Sequence, residues 1–469
     1  MRLLHAAAKT GAQFDDPNLV SHAGLVPAIR LAENIGLEEL VAQHVRVNAE
    51  VGANPGVKIG SLIAGMVAGA DDIDGMDLLR HGAIPVTFGG IRAPSTLGSF
   101  LRAFDHGNVR QLAAVHRRVL AELAGQVPLL PGGQALAFID VDSTQKRVYG
   151  PAKQGARFGH TKIASKSLTV RGLNALAATV STPLAAPVLT TARLRGGNAA
   201  STRGAASLVA ESINTSREAG VSGDIVVRGD SMFYNGAFVT ACRRHGAYFS
   251  VTARMDPKIG RAIADVDEDS WVAIEYPNAV WDEDAGQWIS DAEIAEVGYT
   301  AFASSKAHRV DGRLIIRRVR RLNPKAAAQS QGTLFATYRY HAVFTNSPFQ
   351  LVTAEAQHRG HAIVEQVFAD LFDGPLAHLP SGQFHANGAW LQLAVIAHTL
   401  TRALGVLASP RHAVARGSTI RAELIAVAGR PARHGRGHIT WHLPQHWPWE
   451  SHWHNAFHAT HRGPPAAAA

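Results

Sequence analysis

The chain has one cysteine, Cys242, in 469 residues, so a single molecule can build neither a disulfide framework nor a cysteine-based zinc site. A reducing cytoplasm fits that usage. Acid is also short. The 37 Asp and Glu stand against 46 Lys and Arg, a formal charge of +9 with a pI near 9.9, which favours a polyanionic partner. Nucleic acid comes first and a membrane surface second. No apolar run is both long and uninterrupted. The most apolar stretch, Ala386 to Leu407, is broken by Asn387, Gln392, His398 and Arg402 and is expected to be a buried core helix rather than a membrane span. The stretch Met1 to Thr10 has an apolar patch too short for a signal-peptide core, and nothing in it suggests export. What remains is a globular chain, 46% hydrophobic, with enough length for two or three domains.

The most pointed stretch is Leu136-Ala-Phe-Ile-Asp-Val-Asp-Ser-Thr144, an apolar run that turns acidic and then basic at Lys146 and Arg147. Such a run predicts a buried strand, and the two-residue strand period sends Asp140 and Asp142 to one face. A carboxylate at the carboxyl end of a buried strand stands where ligands bind in helix-covered sheets. The plain alternative is a pair of acids capping a turn.

Residues 15 to 125 carry helical periodicity. Within them Pro94 to Phe104 puts Leu97, Leu101 and Phe104 on one face and leaves Arg92, Arg102 and Arg110 for phosphates. Pro128, Pro131, Gly132 and Gly133 mark a linker. From 134 the pattern predicts three strands (the Asp-bearing run, Ser167 to Thr182, Pro187 to Leu194), a helix over 200–219, a strand over Asp224 to Asp230, a helix over 236–244 and a strand over 247–253. That order describes a mixed sheet with helices on its faces, an α/β fold. Between 260 and 350, Asp265 to Glu296 holds eleven acids and no Lys or Arg, whereas Arg309 to Lys325 holds seven basic residues and one acid. A dipolar, β-rich insertion is expected there, with strands at Trp271–Tyr276, Leu314–Val319 and Tyr338–Phe344. Arg317, Arg318, Arg320 and Arg321 are its candidates for phosphate contact, the alternative being a solvated strand face. Residues 353–372 are expected to form one helix. The last fifty-nine residues combine seven Arg with Trp441, Trp447, Trp449, Trp453 and many His. They suggest a polar tail rather than a zinc site, with Pro464 to Ala469 disordered.

Three acids stand out by context: Asp142 and Asp230, each ending a strand, and Glu365 on the helix beyond the insertion. Three carboxylates make a hard-oxygen site suited to magnesium or manganese. Two such ions activate a water or 3′-hydroxyl and stabilise the leaving oxygen in phosphoryl displacement.

On these residues the chain resembles the DDE transposases of bacterial insertion sequences, in the group usually numbered thirteen-eighty. The resemblance rests on Ile139-Asp-Val-Asp-Ser-Thr144 with Tyr149-Gly150, Leu194-Arg-Gly-Gly-Asn198, Val227-Arg-Gly-Asp-Ser231, and Leu379-Pro-Ser-Gly-Gln-Phe-His-Ala-Asn387. It implies a ribonuclease H-like core with a β-rich insertion before the catalytic Glu and a helical DNA-binding region in front. The corresponding divisions are 1–129, 130–260, 261–349, 350–410 and a basic region at 411–469. It further implies Asp142 (with Asp140 as the fallback), Asp230 and Glu365 as catalytic metal ligands for two Mg2+ or Mn2+ ions. The implied activity is cut-and-paste transposition by a homodimer on terminal inverted repeats, followed by joining to target DNA, in a cytoplasmic, nucleoid-associated setting. Related enzymes carry Tyr, Arg, Glu and Lys along one helix face; here those positions are His358, His361, Glu365 and Phe372. Arg359 stands beside the Tyr position as a substitute phosphate contact. These departures keep open a second reading, a catalytically impaired DNA-binding protein of transposase descent.

Overall fold

The apolar run at 136–141 forms the first half of β1 (Leu136–Arg147), which lies inside a ten-stranded mixed sheet. The computed structural model describes residues 4–47, 50–163, 166–277, 279–283, 286–320 and 338–462. β2 (Arg157–Ile163), β3 (Lys166–Thr182) and β4 (Ala185–Gly196) follow as antiparallel strands; β3 takes β1, β2 and β4 as partners. Four strands therefore come before the next helix, Ala205–Glu218, where the sequence pattern suggested three. β2, Arg-Phe-Gly-His-Thr-Lys-Ile, lacks the apolar alternation that reveals its neighbours.

The helix Ala205–Glu218 then crosses the sheet, so that β5 (Asp224–Gly229) pairs parallel with β1 on the side away from β3. After a second helix, Gly236–Arg244, β6 (Tyr248–Thr252) pairs parallel with β5. Parallel neighbours require such crossovers, and the helices that make them bury the faces of the sheet.

The expected insertion adds to this same sheet. β7 (Val272–Ala273), β10 (Ala292–Ala301), β11 (Val310–Arg320) and β12 (Tyr338–Thr345) continue it antiparallel from β6, in the order β6-β12-β11-β10-β7. β8 (Val280–Asp282) and β9 (Gln287–Ile289) form a separate hairpin. The strand expected at Trp271–Tyr276 shrinks to the two residues of β7. The opposite charges that the sequence segregates meet across the β10–β11 ladder, where Glu293 pairs with Arg318 and Glu296 with Arg313, each at 2.7 Å.

Helices Leu25–Asn34, Pro55–Ala68 and His106–Gln126 pack around the helix Phe384–Ala408. By length and mean hydropathy, 1.4, this helix passes the test for a membrane span, yet 89% of its most apolar window is buried within the protein. Three of its polar residues find backbone partners: Asn387 donates to the Ser381 carbonyl, Gln392 to that of Ala192, and Arg402 to those of Ala413 and Ala415, whereas both ring nitrogens of the buried His398 have no hydrogen-bond partner among the described residues. Within the expected polar tail, the short helices Pro410–Ala413 and Gly417–Ile420 and a hairpin of Arg430–Arg433 with Ile439–His442 lead to a helix (Glu450–His461) that buries Trp453 and Ala456 against Leu25–Asn34 and the central helix. Pro464 to Ala469 lie outside the described residues. One apolar cluster runs from Val20 to Ala456 and joins the amino-terminal helices to the sheet.

Candidate active site

The last parallel pair between β1 and β5 is Val141 with Gly229. The next residue on each strand is an acid, so the register sets Asp142 beside Asp230 at neighbouring strand positions, about 4.8 Å apart between backbones. β1 itself continues along β3 to Arg147. Asp142 thus ends the parallel ladder, whereas the sequence pattern had it ending the strand. Asp230 leaves β5 into a 3-10 turn, Ser231–Phe233, and its Oδ1 accepts the Met232 N–H at 2.9 Å. The capping role and the position beside Asp142 coexist in one side chain.

Glu365 lies in the first turn of the helix Ile363–Phe372, exposed to solvent, where the sequence suggested mid-helix. Residues 351–372 are not one helix: Leu351–Arg359 and Ile363–Phe372 are separated by a 3-10 turn at Gly360–Ala362. Arg228 reaches into this break. Its Nη1 donates to the Gln357 carbonyl at 2.5 Å, the acceptor that residue 361 would use in a regular α-helix. A Cβ on Gly360 would stand 2.8 Å from that same Nη1, so a larger residue there would have to displace the guanidinium.

Arg228 also grips Asp140 with two bonds, Nε to Oδ1 at 2.7 Å and Nη2 to Oδ2 at 2.6 Å, and its guanidinium lies 4.2 Å over the Phe138 ring. His361 Nδ1 meets Asp140 Oδ1 at 2.9 Å. Asp140 is fully buried, and both of its oxygens are engaged. It shares a face of β1 with Asp142 but serves as the anchor that ties β1, β5 and the start of the Glu365 helix together. The sequence reading missed this network; its one visible signal was an arginine inside the otherwise apolar strand Asp224-Ile-Val-Val-Arg-Gly229.

Electrostatics join the three candidate ligands. Burial first, and then the charges of Asp230 and Glu365, push the Asp142 carboxyl up to about 6, against the opposing pull of the Ser143 N–H and His361. Among the described residues, no Lys or Arg forms an ion pair with any of the three. An all-oxygen donor set with uncompensated negative charge fits a hard divalent cation. The three carboxylates are spread more widely than Asp71, Asp72 and His378, a separate group whose ligand atoms all lie within 4.8 Å of one another. A site shared by two ions accommodates that spread.

The expected cation sites fare differently. Arg317 and Arg359 both bind the buried carboxylate of Glu355, Arg359 at 2.8 Å. Arg318 is 6% exposed, is held by Glu268 and Glu293, and stacks on Trp271 and Tyr338. Interior pairing thus occupies Arg317 and Arg318, which were expected to face phosphate. Arg320 is exposed, and Arg321 lies outside the described residues. His358 is partly buried between the hydroxyls of Ser250 and Thr252, at 2.9 and 3.0 Å, and desolvation pushes its pKa down to about 3. Phe372 carries no charge of its own, but the Lys146 ammonium sits 4.6 Å over its ring. Lys146 lies four residues beyond Asp142 on the same face of β1.

The family described as transposase DDE domain group 1 matches the chain over residues 4–464. No curated protein matches it.

Proposed function

From the premise that the chain belongs to the group 1 transposase DDE domain family, we propose that it is a cut-and-paste transposase. It binds terminal inverted repeats, cleaves DNA at the element ends and joins the 3′-hydroxyls to target DNA. The observation that carries this reading is the β1–β5 register, which sets Asp142 beside Asp230 with Glu365 in electrostatic reach and, among the described residues, no Lys or Arg paired to them. The strand order β4-β3-β1-β5-β6, an antiparallel meander followed by two strands parallel to β1, supports a ribonuclease H-like core. The motifs at 139–144, 194–198, 227–231 and 379–387 support membership of the group numbered thirteen-eighty.

In this reading Asp142, Asp230 and Glu365 hold two Mg2+ ions, with Mn2+ as the alternative. When bound, the ions supply the charge that favours an oxygen nucleophile and a leaving alkoxide. The chain's own part is positional. Arg228 and Asp140 fix the strand carrying Asp142 against the turn that starts the Glu365 helix, His361 closes that anchor, and the surrounding basic surface meets phosphates. A homodimer across paired ends, working in the bacterial cytoplasm on nucleoid DNA, completes the proposal.

The test is cleavage and binding of DNA carrying the element's own ends. Asp142→Asn, Asp230→Asn and Glu365→Gln each abolish cleavage and leave end binding intact, because binding comes from Arg and Lys. Wild-type cleavage by Glu365→Gln protein would sink the assignment. The second reading, a non-cutting DNA-binding descendant, is favoured by the partly buried, neutral His358 and the uncharged Phe372. It predicts end binding without cleavage in the unaltered protein.

A further inference from the structure

At the β4 edge of the sheet lies a recess of about 630 Å³ that neither the three carboxylates nor the Asp140 anchor uses. His106 and Arg110 line it from the helix His106–Gln126, Arg193 and Arg195 from β4, Arg203 from the loop after β4, and His385 from the start of the central helix. Cross-strand register places it near the candidate active site. Asp142 faces Ala177 on β3, and Ala177 faces Ala192 of the recess wall on β4, a span of two strand spacings or about 10 Å. The loop that carries Arg203 also touches β1 directly, Ser201 Oγ lying 3.0 Å from Ser143 Oγ.

The charge here is unbalanced. Among the described residues Glu211 is the one acid in the lining, and it is shared by Arg117 at 2.5 Å, Arg193 at 2.7 Å and, more loosely, Arg110 at 3.3 Å. Four arginines, Arg110, Arg193, Arg195 and Arg203, thus line the recess against that one carboxylate, which Arg117 also shares from outside the lining. Arg195 is committed to structure: it donates to Asn174 Oδ1 and to the carbonyls of Ala200, Ser201 and Arg203, and so holds the loop in place. Arg203 is exposed and has no acidic partner among the described residues, and Arg193 Nε has no hydrogen-bond partner among them. Burial, and then the charges of Arg203 and Arg193, push the Arg195 guanidinium down to about 10. Self-repulsion of this kind weakens a fold unless an anion relieves it.

We propose that this recess binds the phosphodiester backbone of DNA, with Arg203 and Arg110 meeting phosphate oxygens and Arg195 positioning the loop that presents them. The proposal rests on the reading that the chain acts on DNA, and adds a contact separate from the metal-binding carboxylates. Guanidinium forks reaching in from a helix, a strand and a loop suit a phosphate, which offers acceptors on several sides and can be gripped bidentately. The half-exposed Arg110, on the longest of the three Glu211 bridges, is the one most easily recruited.

The experiment measures binding of the full chain to a fluorescein-labelled DNA duplex across a salt series, in EDTA so that the metal site takes no part. It is paired with thermal melting of the free protein. Arg203→Gln and Arg110→Gln each weaken binding and lower the slope of log affinity against log salt by about one, and the double variant lowers it by about two. Arg203→Lys, which keeps the charge, restores most of the slope. Arg203→Gln protein melts no lower than wild type, because the change removes a repulsive charge. If wild type binds the duplex and the double variant keeps its affinity and slope, the recess proposal is overturned while the transposase reading stands. Weakened binding with lower melting temperatures in both single variants would assign these arginines to the scaffold and also overturn it. A wild-type chain that does not bind the duplex defeats both.

Discussion

Replacing Asp142 with Asn should stabilise the metal-free protein. Its carboxyl has an ordinary value of 3.8 and is pushed up to about 6 in the fold, by burial first and then by Asp230 and Glu365. At 1.36 kcal/mol per pH unit, keeping it ionised costs on the order of 3 kcal/mol at neutral pH. The sign follows from proton linkage. Between those two values the folded chain binds more protons than the unfolded chain, so stability falls as pH rises through them, and the full cost is present above about 6. Asn keeps an oxygen for the Ser143 N–H, which donates to Asp142 Oδ1 at 2.6 Å, and removes the charge. In EDTA at pH 8, Asp142→Asn protein therefore melts above wild type, and at pH 5 the advantage falls to about half. Adding Mg2+ or Mn2+ raises the wild-type melting temperature by mass action and leaves the variant unmoved. Asp140→Asn, two residues away on the same strand face, goes the other way. It takes a charge from the buried Arg228 pair, a change that costs about 3–5 kcal/mol when a partner is removed outright. An Asp142→Asn protein that melts at or below wild type at pH 8, or whose advantage persists undiminished at pH 5, would refute this account of the site.

Acid should unfold the protein through its desolvated histidines. Burial pushes His116, His358 and His398 down to about 3 from 6.5. The stability they contribute is present above pH 6.5 and is lost below it, by about 2 kcal/mol each at pH 5. Urea unfolding that gives equal free energies at pH 7 and pH 5 would contradict this. Phe372→Lys, which the resemblance alone would favour, should instead lower excision from a plasmid carrying the element's ends. It removes the ring under the Lys146 ammonium, a contact worth about 0.5–2 kcal/mol, and sets two cations together; higher excision would show the ring contact to be dispensable. Arg318→Ala should lower the melting temperature and leave the salt dependence of DNA binding unchanged, because its guanidinium is held by Glu268 and Glu293. A flatter salt slope would return Arg318 to the DNA surface.

The residues of one strand largely determine its local character, and what was legible in the sequence was of that kind. The apolar run before Asp142, the acid-ended strand before Asp230, the helix over 236–244 and the apolar central helix all follow from nearest-neighbour periodicity. The motif resemblance added the family. Contacts between distant segments decided the rest. That β5 lies parallel to β1 with Val141 opposite Gly229 is a matter of register between strands more than eighty residues apart, and it alone brings Asp142 beside Asp230. Asp140 and Asp142 are equivalent by spacing; a guanidinium from another strand occupies one and, among the described residues, leaves the other without a paired Lys or Arg. The same guanidinium reaches into the helix break at Gly360, which periodicity had run straight through. Charge count cannot distinguish an arginine that meets DNA from one that meets Glu355 or Glu293. That choice belongs to the tertiary fold, because a buried carboxylate within hydrogen-bonding distance binds a guanidinium more tightly than solvent does.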